Sequence, residues 1–205
     1  MNYNFIYNSI SIIESVLKYP TTNKNSYIQS IVNFALIPVI IPFFILLGYT
    51  VEIQENSLAN KEMPKFKNYG ELFKTGLELT LLYLPLLLIT LLSLVFALAI
   101  PSLISFAILA IYTMPAIKII YSKTRNYKDV YNKKFIDLIS NKKYIEIYIY
   151  SILFNIILLS MSFILNITTI IIGFLLLLPI LIYSRTAFWS YMFRNTPELN
   201  NILEE

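Results

Sequence analysis

Residues 78–118 read ELTLLYLPLLLITLLSLVFALAIPSLISFAILAIYTMPAIK, and only the first and last of them carry a charge. A helix rises 1.5 Å per residue, so about 20 apolar residues cross a hydrocarbon layer of about 30 Å. The 39 uncharged residues between Glu78 and Lys118 are thus long enough for two crossings joined by a tight turn. A second uncharged run, of 38 residues, separates Glu146 from Arg185, and a third, of 27, separates Lys24 from Glu52. A segment inside lipid must satisfy its own backbone groups, which leaves helices or closed barrels. Barrel strands alternate polar and apolar residues. Neither Leu86-Leu87-Leu88-Ile89 nor Phe174-Leu175-Leu176-Leu177-Leu178 does so. A water-soluble fold with 57% hydrophobic and 14% charged residues would expose large apolar patches. The expected fold is all-α, a polytopic integral membrane helical bundle.

The runs divide a single membrane domain. Residues 1–26 form an amphipathic N-terminal segment and 27–51 a segment containing Pro38 and Pro42. Residues 52–76 form a linker with a surface helix, and 77–121 a helical hairpin. A basic linker at 122–143, a second hairpin at 144–189 and a tail at 190–205 complete the chain. The prolines leave two readings of 27–51: one long kinked crossing, giving five full crossings, or a re-entrant hairpin, giving three hairpins. No cleavable leader is expected, since no basic start precedes an apolar core. Three short segments carry an apolar face: Ile10, Ile13 and Leu17; Phe66, Tyr69, Leu72, Phe73 and Gly76; and Tyr131, Phe135, Leu138 and Ile139. These predict amphipathic surface helices, the second starting at Asn68, which has capping-box spacing to Glu71. A rhyme between Ile120-Tyr121-Ser122-Lys123-Thr124 and Ile182-Tyr183-Ser184-Arg185-Thr186, with a weaker echo at Gly48-Tyr49-Thr50, suggests one hairpin unit used three times. Tyr27, Tyr49, Tyr121, Tyr144, Tyr183, Trp189 and Tyr191 fall near helix ends, where their rings would suit the headgroup layer.

Reactive chemistry is sparse. There is no Cys and no His, which removes thiolate chemistry, disulfides and the commonest general base and metal ligand. Glu52, Glu55, Glu62 and Glu71 are close in sequence only. Asn33, Thr90, Ser93, Ser105, Asn155, Ser160 and Ser162 are read as packing positions or as the lining of a solute path. No catalytic, cofactor-binding or metal residues are expected, and no cofactor.

Charge placement sets the expected side and partners. Basic residues crowd the middle linker: Lys118, Lys123, Arg125, Lys128, Lys133, Lys134, Lys142 and Lys143, against Asp129 and Asp137. Cytoplasmic loops carry the excess of Lys and Arg, so the linkers and C-terminus are expected in the cytoplasm of a cell-membrane protein. The eight cations are candidate contacts for anionic lipid headgroups. Nucleic acid is not expected as a partner; a second copy or another membrane protein is the remaining partner class. Arg185 interrupts an otherwise apolar helix. Either it snorkels to the headgroups or it forms an intramembrane ion pair with Glu78.

Tyr19-Pro20, Gly48-Tyr49, Met63-Pro64-Lys65-Phe66, Tyr69-Gly70-Glu71-Leu72-Phe73 and Gly76 together form a pattern. So do the basic segment with Phe135 and a final hairpin ending rich in Trp and Tyr. Over about residues 8–193 the chain resembles the uncharacterised prokaryotic membrane proteins of the domain of unknown function 4013 family, found largely in archaea. Lys65 and Tyr69 stand where that pattern often has an acidic residue and a Trp. The resemblance implies a membrane protein of archaeal source and carries no activity or substrate. The leading functional expectation is a non-enzymatic scaffold or membrane-organising component. A small permease or transporter subunit is the alternative, and a lipid-acting enzyme the third.

Overall fold

The computed structural model describes residues 12–35, 40–96, 104–169 and 172–204. Most of these are helical, with no strand among them. Helix α1 covers 12–18 and runs into a 3-10 turn at Tyr19–Thr21, where buried Pro20 ends it. Then follow α2 (Lys24–Ala35), α3 (Ile40–Leu58), α4 (Tyr69–Phe96), α5 (Ile104–Thr124), α6 (Lys133–Ser140), α7 (Lys142–Thr169), α8 (Ile172–Arg194) and α9 (Pro197–Glu204).

The expected surface helices meet three outcomes. Ile13 and Leu17 lie in α1 and pack on the core, while Ile10 lies outside the described residues. The second stripe is corrected: Tyr69 to Gly76 are the first turns of α4, continuous with the apolar run, and Phe66 precedes the helix. Nothing between Gly76 and Leu77 breaks the backbone ladder, so the polar turns and the apolar run propagate as one helix. The third is a separate helix, α6. The side-chain oxygen of Asn132 caps it by accepting from the Phe135 amide, and Leu138 is fully buried beneath it.

Among the described residues, two helices, Tyr69–Phe96 and Lys142–Met161, are long and apolar enough to cross a membrane. Their burial separates them from the core helices of a soluble protein. Only 17% and 28% of their most apolar windows are covered by the rest of the chain. Leu84, Leu87, Leu88, Leu91, Leu92 and Val95 on α4 are exposed, as are Ile149, Leu153, Ile156 and Leu159 on α7.

The α3–α4 pair is the tightest crossing. A Cβ placed on Gly48 would lie 1.9 Å from the Leu72 carbonyl oxygen, and one on Gly76 would lie 1.8 Å from that of Phe44. The two backbones therefore touch, which only glycine allows, and small-residue contacts of this kind are how helices associate in lipid. Gly70, by contrast, has nothing within 4 Å of its Cβ position.

One end of the bundle is polar and heavily cross-linked. The Met63 and Phe66 amides donate to Thr22 Oγ1 (3.3 Å) and Ser26 Oγ (3.0 Å), joining the start of α2 to the loop after α3. Ser190 Oγ donates to the Gln54 carbonyl (3.2 Å), and Arg194 to that of Ser57 (3.0 Å), joining the ends of α3 and α8. Arg125, closing α5, forms an ion pair with Glu55 at 2.6 Å. Tyr144, opening α7, packs edge-on against Phe193 at the end of α8. Chain that leaves this end at Lys24 has therefore returned to it by Gln54.

The tyrosines are a further correction. Tyr49, Tyr121, Tyr144 and Tyr183 are among the largest fully buried side chains, and Trp189 is buried with them. Position near a helix end does not reveal which face a ring occupies. These rings face inward because each makes packing contacts there: Tyr49 against Phe66 and Tyr183, Tyr144 against Tyr112 and Trp189. Tyr49 also donates to the Pro64 carbonyl at 2.7 Å. Tyr49→Phe is expected to cost about 1 kcal/mol, the net worth of one such bond. Thermal unfolding in detergent measures it.

Candidate functional site

Four helices, α3, α4, α5 and α8, enclose a cavity of about 260 Å³. Leu47, Thr50 and Gln54 line it from α3, Leu79 and Tyr83 from α4, Met114, Pro115 and Lys118 from α5, and Ile182, Arg185, Thr186 and Trp189 from α8. Two of the lining residues are cations, and none is acidic. Lys118 Nζ donates to Thr186 Oγ1 at 2.9 Å, and Thr186 in turn donates to the Ile182 carbonyl at 3.0 Å. That leaves two ammonium protons for other acceptors. Gln54 is 1% exposed and Trp189 3%. Gln54 Oε1 and Trp189 Nε1 have no hydrogen-bond partner. Unpaired buried polar atoms are uncommon in native structures.

The cations sit where the apolar runs end. Lys118 is the first charge after the 39 uncharged residues and Arg185 the first after the 38. Counting back from Thr124 and Arg194, the last residues of α5 and α8, they lie about 9 Å and 14 Å inside the helix ends.

Arg185 and Glu78 do not form an ion pair among the described residues. Glu78 accepts a hydrogen bond from the Tyr121 hydroxyl and has Lys74 Nζ at 4.0 Å. An i,i+4 lysine and a tyrosine on the adjoining helix occupy the carboxylate, so the guanidinium is left to the cavity. The repeat-equivalent Lys123 differs again: its ammonium donates to Asn200 Oδ1 on α9 at 3.4 Å.

The other basic candidates are spread over the polar end. Arg125 reaches Glu55 and also Thr75 Oγ1. Lys143 is paired with Glu146 at 3.1 Å. Lys128 lies over the Tyr127 ring, 5.9 Å from its centre. Lys128, Lys133 and Lys142 are exposed and Lys134 is half-buried. Among the polar helix positions, Asn33, Thr90 and Ser160 direct their side chains to carbonyls one turn back on their own helices. Ser93 is buried, and the Ser162 side chain lies outside the described residues.

Glu52 is the first residue after the uncharged run of α3 and stands in the polar end. Burial pushes its carboxyl from 4.5 up to about 7, against the pull of Arg125 and with Glu71 and Glu55 adding to the rise. The folded state thus holds this proton more tightly than the unfolded chain. The stabilisation is complete below about pH 4.5 and is lost as pH climbs through about 7. Glu52→Gln is expected to raise the unfolding temperature at pH 8 and to leave it unchanged at pH 4. A difference of the same size at both pH values would show that the carboxyl does not titrate this way. Among the described residues, no group of three acidic side chains gathers as a metal site.

The motif residues of the sequence pattern come together around the α3–α4 crossing. Gly48 and Gly76 form the contact, Tyr49 holds Pro64, Phe66 packs at a tilt against Tyr49, and Tyr19 reaches the Ile53 carbonyl at 3.5 Å. Leu72 is fully buried, and Phe73 packs against Phe44. This part of the pattern is thus architectural, and it does not include Gln54, Lys118 or Arg185. Sequence reasoning missed Gln54 and Trp189 as site residues and placed Lys118 among surface lipid contacts. The one available signal was that Lys118 and Arg185 terminate uncharged runs in the same way.

No curated protein and no solved structure matches this chain. The family model described as "Protein of unknown function (DUF4013)" matches residues 31–190. With most of its length matched, the chain belongs to the DUF4013 family.

Proposed function

We propose that this chain is a non-enzymatic, multi-pass cell-membrane protein of three helical hairpins that serves as a membrane-organising scaffold. The α2–α3 hairpin is re-entrant, the α4–α5 and α7–α8 hairpins cross, and the linkers and C-terminus lie in the cytoplasm. The observation that carries this is the contrast between the two parts of the bundle. The polar ends of all three hairpins are tied by hydrogen bonds and an ion pair, while the apolar flanks of α4 and α7 stand uncovered. A fixed rim above a lipid-facing flank suits a component that holds position in the bilayer. The inward tyrosines Tyr49, Tyr121 and Tyr183, one per hairpin, support a unit used three times. Exposed Lys128, Lys133 and Lys142 suit anionic headgroups, at about 1 kcal/mol each.

Reconstituted liposomes test the role. Swelling and efflux assays with glycerol, amino acids and phosphate are expected to give the rates of empty liposomes. Protein-dependent flux would overturn the scaffold reading in favour of a small permease. That second reading is favoured by the cavity between α3, α4, α5 and α8, and by Pro85, Pro115 and Pro179 inside three of the long helices.

A further inference from the structure

We propose that the cavity between α3, α4, α5 and α8 binds a phosphate group, supplied by the headgroup of an anionic phospholipid or by a free phosphate compound. The lipid source rests on the membrane reading given above; the anion site rests on the cavity alone.

The charges argue first. Lys118 and Arg185 line one cavity with no carboxylate among the described residues that line it. Two like charges facing a shared, partly desolvated space repel one another, and each loses part of its hydration. An anion between them reverses both effects. A phosphate offers several acceptor oxygens to the ammonium, whose remaining two protons are free of Thr186, and to the planar guanidinium, which matches phosphate geometry.

The unpaired atoms argue second and independently. Trp189 Nε1 can only donate, so its missing partner is an acceptor. Gln54 lines the same space, and its carboxamide oxygen is buried without a partner. That oxygen takes a hydroxyl proton, from a protonated phosphate or a glycerol hydroxyl. With the amide rotated, the NH₂ would donate to an anionic oxygen instead, since the two orientations are interchangeable in shape. Two cations line the space with Trp189 and Gln54 beside them, and Leu47, Leu79, Met114 and Ile182 give it an apolar flank for the carbon atoms beside a phosphate.

Depth argues third. Lys118 and Arg185 are the first charges beyond two runs long enough to fill the hydrocarbon layer. A phospholipid places its phosphate at that same boundary. α5 and α8 both line the space, and the Lys118–Thr186 hydrogen bond bridges them. Arg185 is exposed, so the cavity opens beside it.

The single tryptophan of the chain is Trp189, which makes the site its own reporter. Purified protein in dodecyl maltoside is titrated at constant ionic strength with phosphatidic acid, phosphatidylcholine, diacylglycerol or sodium phosphate. Indole emission and the unfolding temperature are followed. Phosphatidic acid is expected to change the emission saturably and to raise the unfolding temperature, and diacylglycerol to do neither. A response to sodium phosphate as well assigns the site to free phosphate compounds; a response to phosphatidic acid alone assigns it to lipid. Lys118→Gln with Arg185→Gln is expected to weaken binding at least tenfold, while Lys65→Gln with Lys67→Gln, exposed in the loop after α3, leaves it within twofold. Trp189→Phe keeps ring packing while removing the N–H. It is expected to weaken binding severalfold by the thermal readout, so the proposal stays testable if the double cavity variant fails to fold. Equal binding by wild type and the cavity variants, or no response to either phosphate source, would overturn it. If the membrane reading alone were wrong, the protein would stay in solution without detergent and the sodium phosphate titration would still report the site.

Discussion

Gly48→Ala and Gly76→Ala are each expected to destabilise the folded protein by about 3 kcal/mol, at the upper end of overpacking costs. The added methyl would sit 1.9 Å from the Leu72 oxygen in the first case and 1.8 Å from the Phe44 oxygen in the second. Both obstacles are backbone carbonyls committed to helices, so no rotamer change relieves the clash. The helices must separate, and separation loosens the Tyr49–Phe66–Tyr183 cluster that packs beside the crossing. Against a total stability of about 5–15 kcal/mol, a loss of this size removes much of the margin. Gly70→Ala is the control. It lies in the first turn of α4 with open space at its Cβ position, so it is expected to be neutral or to stabilise by up to about 1 kcal/mol. The double variant Gly48→Ala/Gly76→Ala is expected to cost less than the sum, because one separation of the helices relieves both clashes. Unfolding midpoints in detergent, with size-exclusion profiles, measure all four. Tolerance of alanine at Gly48 would show that the crossing is looser than described.

Leu88→Asp carries the second large effect. Leu88 is half exposed and lies ten residues into the uncharged run, about 15 Å from Glu78 along the helix. That is the middle of a hydrocarbon layer about 30 Å thick. If lipid surrounds α4, an aspartate there costs about 3 kcal/mol. If water surrounds it, an exposed leucine becomes an exposed aspartate with an effect within about 0.5 kcal/mol. Lys128→Asp, an exposed position on the polar end, is expected to be silent either way. The membrane-integrated fraction after alkaline extraction, compared among the three proteins, separates the outcomes.

The long helices were legible because the absence of charge over 39 and 38 residues is a one-dimensional signal with one strong physical cause. Gly76 was visible only as part of a motif, although glycine within a helix costs stability unless a neighbour needs the space. The same holds for its partner Gly48, since a contact between helices is not written at either position alone. The start of α4 beside Asn68 was legible, but its continuity was not, because amphipathic spacing over Tyr69 to Gly76 is the same whether the helix stops or continues. The inward tyrosines were misread because the headgroup layer and the packed interior both favour an aromatic body with one polar atom. The Arg185–Glu78 pairing failed on a competitor, Tyr121, that lies 43 residues from Glu78 in sequence. The cavity depends on four helices meeting, and Gln54 and Trp189 look ordinary until their neighbours are known. In each miss the deciding information was which face of a helix meets which other helix.

The proposed hairpins would enter the bilayer from one side and return to it. Single cysteines at Asn25, Lys61, Lys128 and Asn195 place one thiol on each polar segment of a chain that has none of its own. An impermeant thiol reagent is then applied to closed, right-side-out vesicles and to inverted ones, with detergent-opened vesicles as the reference. All four positions are expected to label in inverted vesicles and to stay protected in right-side-out ones. Labelling of Asn25→Cys from the opposite side to the other three would contradict the returning α2–α3 hairpin, and labelling of all four from both sides would contradict insertion itself.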